Sequence, residues 1–314
     1  MSLTGNVTAV LGRDLAASLG RKGTESDVTL YNHKMGDTVL AFVEPTTYPE
    51  KIQSLVSSLD MADQVVFKVT ELSPYFAESL VTLDAIGMDR GFLIIGPNII
   101  ADSLKNFLAG TLLSKYPVIE EQVATIRDRL AEYKPEVKGD VIVQIDHSFP
   151  VKGVGTVALG VVKQGVLKRH DELTLFPTHV KAQAKSIQVS DVDVEDASRG
   201  IRVGIGLKNL RPEDIPRGTI LAREGSIHSV DTFSLKASVS KFSPRSLSVG
   251  DSFMISTHLN YVPAKVVDGA IAKGGTGVIE VSLEKKVPLL AGRMLFLDPG
   301  QKMPRVFGFG EAVL

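Results

Sequence analysis

Two glycine-containing segments of the sequence have residue types that could hold phosphate groups. Gly20–Thr24 reads Gly-Arg-Lys-Gly-Thr, and Gly153–Ala158 imitates the glycine fingerprint that binds dinucleotides. A phosphate-binding loop needs Gly-x4-Gly-Lys-Ser/Thr, because its backbone N–H groups wrap the phosphates, its lysine neutralises them and its hydroxyl holds Mg²⁺. The chain has no Gly-Lys-Ser/Thr, and Gly153–Ala158 lies in a β pattern with no helix after it. We expect neither segment to bind phosphate, and Gly20–Thr24 is predicted to be the basic end of a helix.

The sequence offers no other group of residues that is typical of catalysis. It has no cysteine, no serine in a nucleophile-elbow motif, and six histidines that share no metal-binding spacing with acidic residues. Four basic residues flank a predicted hairpin and could contact phosphates, although a solvated charged turn is the simpler interpretation. They are Lys163, Lys168, Arg169 and His170. We predict no catalytic residue and no metal ligand.

Residues 1–138 are predicted to form an α/β domain. Short apolar runs, typical of strands buried on both faces, alternate with helical patterns, which favours a mainly parallel sheet with helices on its faces. The predicted strands are Val7–Leu11, Val39–Val43, Val65–Val69 and Gly91–Ile95, and the predicted helices are Pro49–Leu59, Ser73–Ile86 and Pro117–Tyr133, with Pro117 in the first turn of its helix. The polar segment Glu132–Gly139 is predicted to be a linker.

The remainder of the chain is predicted to be all-β. Residues 139–225 open with the period-two pattern of Val141–Ile145 and continue as short β-branched segments separated by turn residues, which favours a closed barrel. Residues 226–314 contain six further strand-like segments separated by glycines, which favours a second barrel. The predicted fold class is therefore multidomain, α/β followed by all-β.

Composition excludes several classes of function. The chain has 314 residues and a formal net charge of −1, so any contact with a nucleic acid must come from a local patch. No apolar run is long enough for a membrane span, and the N-terminus lacks the layout of a signal peptide. We expect a cytoplasmic protein that binds neither membranes nor DNA, with a monomer favoured.

The motif order in Val141–Leu221 resembles the second domain of translational GTPases, a β-barrel that holds the acylated end of a tRNA. The similar segments are Val141–Phe149, Gly153–Gly160, Arg199–Gly204 and Arg217–Leu221. An α/β domain followed by two β-barrels is also the layout of elongation factor Tu and its relatives. Within that family the chain is most similar to the selenocysteine-specific elongation factors of archaea and to their paralogues, one of which is proposed to serve pyrrolysine.

The resemblance implies a GTP site whose motifs this chain has lost. Strand Val7–Leu11 runs through Gly12 almost directly into a helix, so the phosphate loop is missing. Glu44 stands where the family has the Mg²⁺-side aspartate, and Tyr48 replaces the histidine that positions water. Asn98 lies where Asn-Lys-x-Asp reads guanine, without the carboxylate. The first domain is therefore predicted to be a degenerate P-loop GTPase-like scaffold, and the remnant nucleotide site is Gly12, Glu44 and Asn98.

The resemblance also implies an aminoacyl-sensing constellation in the first barrel. Its matching positions are Asp146, His147 and Arg202, whose donors suit an anionic or polarisable group. The alternative is a structural ion pair between Asp146 and Arg202, with His147 capping a turn. Further RNA contacts predicted by position are Lys168, Arg169 and Arg305. For Arg305 the default interpretation is a basic pair with Lys302 at the surface. Ser186–Gln188 and Glu195 match the region of the terminal-adenosine pocket.

Three functions remain open from the sequence. The first is an elongation factor-like protein that binds aminoacyl-tRNA, or a related RNA, between the α/β domain and the first barrel, without GTP hydrolysis and without a cofactor. The second is a working GTPase, with GTP and Mg²⁺, whose mobile loops are missing from the sequence as read. The third is a protein-binding module that acts on translation components. The first favours a protein that is not an enzyme, with aminoacyl-tRNA and the ribosome as partners.

Overall fold

The computed structural model describes residues 3–313, and its first part is a six-stranded sheet with helices on both faces. Residues that alternate along the central strands pack on opposite sides, Ala9 with one helical layer and Val10 with the other. The strands are β1 Thr4–Leu11, β2 Arg21–Glu25, β3 Thr29–Met35, β4 Thr38–Glu44, β5 Gln64–Val69 and β6 Gly91–Ile95. The helices are α1 Leu15–Leu19, α2 Ile52–Met61, α3 Pro74–Ile86, α4 Ala101–Leu108 and α5 Val123–Ala131, with a 3₁₀ turn at Leu112–Lys115.

The strand order in this sheet is β2-β3-β4-β1-β5-β6. Strands β4, β1, β5 and β6 are parallel, and β3 and β2 are added antiparallel at one edge. The mainly parallel sheet predicted from the apolar runs is confirmed. The carboxyl ends of β4, β1 and β5 meet at one crevice, which is where open α/β sheets commonly bind ligands.

Two local predictions for this part are wrong. Gly20 is the C-cap of α1, but the basic residues after it are not a helix end, because Arg21–Glu25 forms the edge strand β2. Its side chains are mostly exposed, so the segment lacks the apolar run that marks a buried strand. Helix α5 begins at Val123 rather than near Pro117. The preceding residues run beside β6 instead, since the N–H of Leu93 donates to Pro117 O and the N–H of Ile119 donates to Leu93 O.

The second part is a closed six-stranded barrel with two short extra pairings. Pairing runs β10-β15-β7-β8-β14-β11, and β11 pairs with β10 to close the barrel, so the barrel has no free edge. The strands are β7 Ile142–Val151, β8 Gly155–Gln164, β9 Val166–Lys168, β10 Glu172–Phe176, β11 Val180–Val189, β12 Val192–Val194, β13 Asp196–Ser198, β14 Arg202–Leu207 and β15 Ile220–Ala222. A 3₁₀ turn at Pro212–Asp214 precedes β15.

The third part is a second closed antiparallel barrel. Its order is β16-β19-β18-β17-β20-β21, closed by pairing of β21 with β16, around an aromatic core of Phe253, Phe296 and Phe307. The strands are β16 His228–Val239, β17 Ser252–Thr257, β18 Asn260–Asp268, β19 Thr276–Leu289, β20 Arg293–Leu297 and β21 Val306–Ala312. The fold class predicted from the sequence, a parallel-sheet α/β part followed by two barrels, is confirmed.

A buried ion pair fastens the α/β part to the second barrel. Arg305 donates to both carboxylate oxygens of Glu78 on α3, at 3.0 and 2.6 Å, and also to the carbonyl oxygens of Pro49 and Glu50. Glu78 is fully buried and Arg305 is 8% exposed. The surface basic pair predicted at Arg305 is therefore wrong for that residue. The sequence did not reveal its buried partner, which lies 227 residues away in the chain.

Between residues 3 and 313, no helix is long and apolar enough to cross a membrane.

Candidate functional site

A cleft of about 840 Å³ lies between the β2–β3 hairpin and the outer face of the first barrel. We call it the inter-domain cleft. The α/β wall contributes Arg21, Lys22, Gly23, Thr24, Asn32 and Lys34. The barrel wall includes Phe149, Val154, Val157, Leu159, Lys185, Ser186, Gln188, Arg202, Gly204 and Gly206, together with Asp191 of the β11–β12 turn and Asp193 of β12.

One part of the barrel wall, which we call the floor, is lined by apolar residues and glycine. Strand β14 presents Gly204 and Gly206 beside Val157 and Leu159 of β8. A Cβ on Gly206 would collide with Ser186 Oγ, and a Cβ on Gly204 would stand 3.3 Å from Leu159. Glycine therefore leaves the floor open where any other residue would fill it. Such a surface suits a flat or weakly polar group, such as a nucleobase or a ribose.

The α/β wall is basic because of strand register. Arg21 of β2 pairs directly with Asn32 of β3, so their side chains share one face of the hairpin, and Lys34 is two residues further along that face. Tyr31 points to the opposite face and is buried against the helices. The face that looks into the cleft therefore carries two cations and an amide.

The lining of the inter-domain cleft is positive although the whole chain is not. Five of its residues are basic and two are acidic, against a formal net charge of −1 for the chain. Lys22 is paired with Glu25 at 2.6 Å and Arg202 with Asp146. Within residues 3–313, Arg21, Lys34 and Lys185 make no salt bridge. These three cations are available to an anionic ligand.

Two of the three residues predicted to sense the aminoacyl group lie together. Nε and Nη2 of Arg202 donate to Oδ2 and Oδ1 of Asp146, both at 3.2 Å, and the two side chains are only 8% and 4% exposed. Nη2 of Arg202 also donates to Thr24 Oγ1 across the cleft at 3.1 Å. His147 is exposed, lies outside the cleft lining and has its ring 5.7 Å from that of Phe149. The pair thus has the geometry of the structural ion-pair alternative, with Arg202 joining the two walls.

The remaining predicted RNA contacts lie outside the cleft lining. Lys168 is exposed at the end of β9, and Arg169 pairs with Glu195 at 3.0 Å while donating to Lys185 O. Ser186 and Gln188, matched to the family only by position, do line the cleft.

Sequence reasoning missed the cations of the α/β wall. The sequence pattern predicts a helix end at Arg21 and does not mark Lys34, because neither residue is part of an apolar strand pattern. The signal available was the spacing of Asn32 and Lys34, which places both on one face of a strand.

A second cleft, of about 930 Å³, lies at the carboxyl ends of β1, β4 and β5. We call it the crevice. Gly12 and Glu44 line it, whereas Asn98 is exposed and lies outside its lining. Its charged residues are two basic and four acidic, namely Arg13, Lys68, Asp14, Glu44, Glu50 and Glu71. Burial and the nearby charge of Asp14 raise the pKa of the Glu44 carboxyl, which also accepts a hydrogen bond from Tyr31 at 3.1 Å.

The connection between β1 and α1 at the crevice is short. Only Gly12, Arg13 and Asp14 join β1 to α1, and α1 has five residues. A Cβ on Gly12 would stand 2.7 Å from Cβ of Lys68, whose ammonium group is engaged by Glu121. In the part of the chain the structure describes, no three His, Asp or Glu side chains are grouped to hold a metal ion.

Titratable groups are buried where all three parts of the chain meet. Asp60, in α2, accepts from the Leu259 N–H at 3.0 Å, and Lys163 Nζ donates to the carbonyl oxygens of Asp60 and Met61 at 3.0 and 3.2 Å. Burial raises the pKa of the Asp60 carboxyl to about 6, against the partly compensating charges of Lys163 and Arg217. Burial, reinforced by the charge of Lys163, lowers the pKa of His258 to about 4.

The Asp60→Asn variant is expected to lose more stability in acid than the wild type. Stability contributed by His258 is present above pH 6.5 and is lost as pH falls towards 4, whereas the Asp60 contribution is gained as pH falls from 6 to 3.8. In the wild type, the His258 and Asp60 contributions to stability change in opposite directions as pH falls. The Asp60→Asn change removes the Asp60 contribution. We expect the free energy of unfolding to drop by roughly 1–3 kcal/mol more in the variant between neutral pH and pH 4. Urea unfolding at several pH values measures this, and parallel curves would contradict it.

Comparison with known proteins identifies several relatives of this chain. Residues 155–222 match the family described as Elongation factor Tu domain 2. An uncharacterized protein of Methanocaldococcus jannaschii is 32% identical over 295 residues, which cover 93% of this chain and 94% of that protein. A selenocysteine-specific elongation factor of the same organism is 29% identical over 214 residues, which cover 62% of this chain and 45% of that protein. The chain thus spans about half the length of that factor.

Solved structures agree in fold. Translation elongation factor SelB from Methanococcus maripaludis, in complex with the GTP analogue GppNHp, superposes with a TM-score of 0.83 over 99% of this chain and 79% of that chain, at 21% identity. A bacterial selenocysteine-specific elongation factor superposes with a TM-score of 0.82, at 17% identity, over 99% of this chain and 58% of that chain. The chain therefore belongs to one family with the uncharacterized Methanocaldococcus jannaschii protein, its residues 155–222 belong to the Elongation factor Tu domain 2 family, and its fold is that of the selenocysteine-specific elongation factors.

Proposed function

We propose that this protein is a translation factor-like RNA-binding protein of the cytoplasm. It binds the acceptor end of an aminoacyl-tRNA, or of a related RNA, in the inter-domain cleft. Binding and release proceed without GTP hydrolysis, and the partners are aminoacyl-tRNA and the ribosome.

The observation that carries this proposal is the composition of the inter-domain cleft. One wall offers an apolar, glycine-lined floor for a base or a ribose, and the other offers Arg21 and Lys34 for phosphates. Phosphate contacts by Lys and Arg supply most of the affinity for nucleic acids, while apolar contacts hold an unpaired base. The relatives named as elongation factors support a role in translation.

Two features support release without a nucleotide switch. The crevice has an acidic lining and lacks the phosphate-binding groups, so it offers little to GTP. The segment after β4, which forms one wall of the crevice, is fastened to the second barrel by the Arg305 hydrogen bonds to Pro49 and Glu50. A nucleotide could move this wall only by breaking contacts that include a buried ion pair.

Protection of the aminoacyl ester bond tests this function. An RNA end enclosed in the cleft is shielded from water, so the ester of a radiolabelled aminoacyl-tRNA should hydrolyse several-fold more slowly with excess protein. We expect the same half-life with and without GTP and Mg²⁺. Absence of protection at low salt, where electrostatic contacts are strongest, would contradict RNA binding. Protection that requires GTP would contradict nucleotide independence.

A further inference from the structure

The β2–β3 hairpin is the exposed edge of the α/β sheet and forms one wall of the inter-domain cleft. Strand β2 is terminal in the strand order, and four of its five residues are exposed. Arg21 and Lys34 are both exposed and project from the face that looks towards the first barrel. Neither residue belongs to a motif that marks nucleotide binding.

Side-chain contacts with the first barrel fix the position of this hairpin, and one of them is the ion pair between Asp27 of its turn and Arg217. Thr24 Oγ1 accepts from Nη2 of Arg202 at 3.1 Å, and Arg202 is itself held by both oxygens of Asp146. The basic face therefore stands at a set distance from the apolar floor of the barrel. A ligand that reaches the floor passes beside the two cations.

The arrangement of donors on the hairpin suits a phosphodiester backbone. Arg21 lies directly across from Asn32, and Lys34 is two residues beyond Asn32 on the same face of β3. Arg21 and Lys34 are therefore diagonal neighbours, about 7–8 Å apart. This separation is close to that of successive phosphates in an extended single strand. The acidic residues of the cleft, Asp191 in the β11–β12 turn and Asp193 in β12, belong to the barrel wall and not to the β2–β3 hairpin.

We infer that Arg21 and Lys34 contact successive phosphates of the RNA strand whose end lies on the barrel floor. This inference rests on the proposed function and assigns its phosphate-binding element to the β2–β3 hairpin. The hairpin supplies sequence-independent affinity, because phosphate contacts carry no base information. The floor of the inter-domain cleft then determines which RNA ends bind.

The salt dependence of RNA binding tests the inference. The double variant Arg21→Gln, Lys34→Gln is compared with the wild type by fluorescence anisotropy of a labelled aminoacyl-tRNA at four salt concentrations. Each lost phosphate contact should lower the slope of log affinity against log salt by about 1. We expect a total change of about 2 in slope and at least a tenfold loss of affinity at the lowest salt.

A matched control carries the same change of charge elsewhere. The double variant Lys285→Gln, Lys286→Gln alters two exposed lysines of β19 in the second barrel, outside the lining of the cleft, and should keep the wild-type slope. A slope that is unchanged in the hairpin variant, or changed equally in the control, would overturn the hairpin assignment and leave RNA binding intact. A wild-type protein that retains no RNA would overturn both proposals.

Discussion

The Glu78→Gln variant is expected to lose about 3–5 kcal/mol of unfolding free energy, because it leaves the Arg305 guanidinium buried without its counter-charge. Glu78 is fully buried on α3 and Arg305 is 8% exposed on the second barrel. The contacts of Arg305 with Pro49 and Glu50 depend on the same position of its side chain. Urea unfolding, followed by circular dichroism, measures the loss.

The matched control for this prediction is Glu311→Gln. Glu311 pairs with Arg293 at 3.3 Å, again a carboxylate–guanidinium pair, but the two side chains are 57% and 31% exposed. A surface pair of this kind contributes about 0–1 kcal/mol. Equal losses of unfolding free energy in the two variants would show that burial of the Glu78–Arg305 pair does not determine how much the pair stabilises the protein.

The Gly204→Phe variant is expected to weaken RNA binding at least tenfold while leaving the barrel folded. The backbone of Gly204 does not require positive φ, and an added Cβ would meet only Leu159 at 3.3 Å and Val157 at 3.9 Å. A phenyl ring at this position would therefore project over the floor of the inter-domain cleft and occupy the place of a base. We expect at least a tenfold loss of affinity for aminoacyl-tRNA, about 1.4 kcal/mol or more. Anisotropy titration at low salt measures it.

Val278→Phe is the control for added aromatic bulk. Val278 is 60% exposed on β19 of the second barrel and lies outside the cleft lining. It should bind RNA like the wild type, with the same melting temperature. Unchanged binding in Gly204→Phe, with a folded barrel, would place the ligand elsewhere on the molecule.

Much of the fold could be predicted from periodicity because its core strands are strongly patterned. The runs at Val65–Val69 and Gly91–Ile95 are apolar on both faces, and they form β5 and β6. Strand β2 was not predicted, because an exposed edge strand needs no apolar pattern. The start of α5 was misplaced because Pro117–Ile119 pairs with β6, a tertiary contact that overrides local helix preference.

The candidate site was only partly predictable, for a related reason. Asp146 and Arg202 were singled out through the resemblance, and the structure brings them together. Asp146 lies at a register shift between Ile145 and His147, which no spacing in the sequence specifies. The placement of Arg21 opposite the barrel floor depends on how two parts of the chain pack. Local sequence patterns carry no information about that packing.

The opposite charges of the two clefts have a kinetic consequence. The inter-domain cleft carries an excess of basic residues and the crevice an excess of acidic ones, while the chain as a whole is nearly neutral. A polyanion approaching such a surface is attracted at one opening and repelled at the other, so the encounter is oriented before contact. Charged clefts of this kind raise association rates in a way that salt screens out. Added salt should thus slow the capture of RNA even though the protein has almost no net charge to screen.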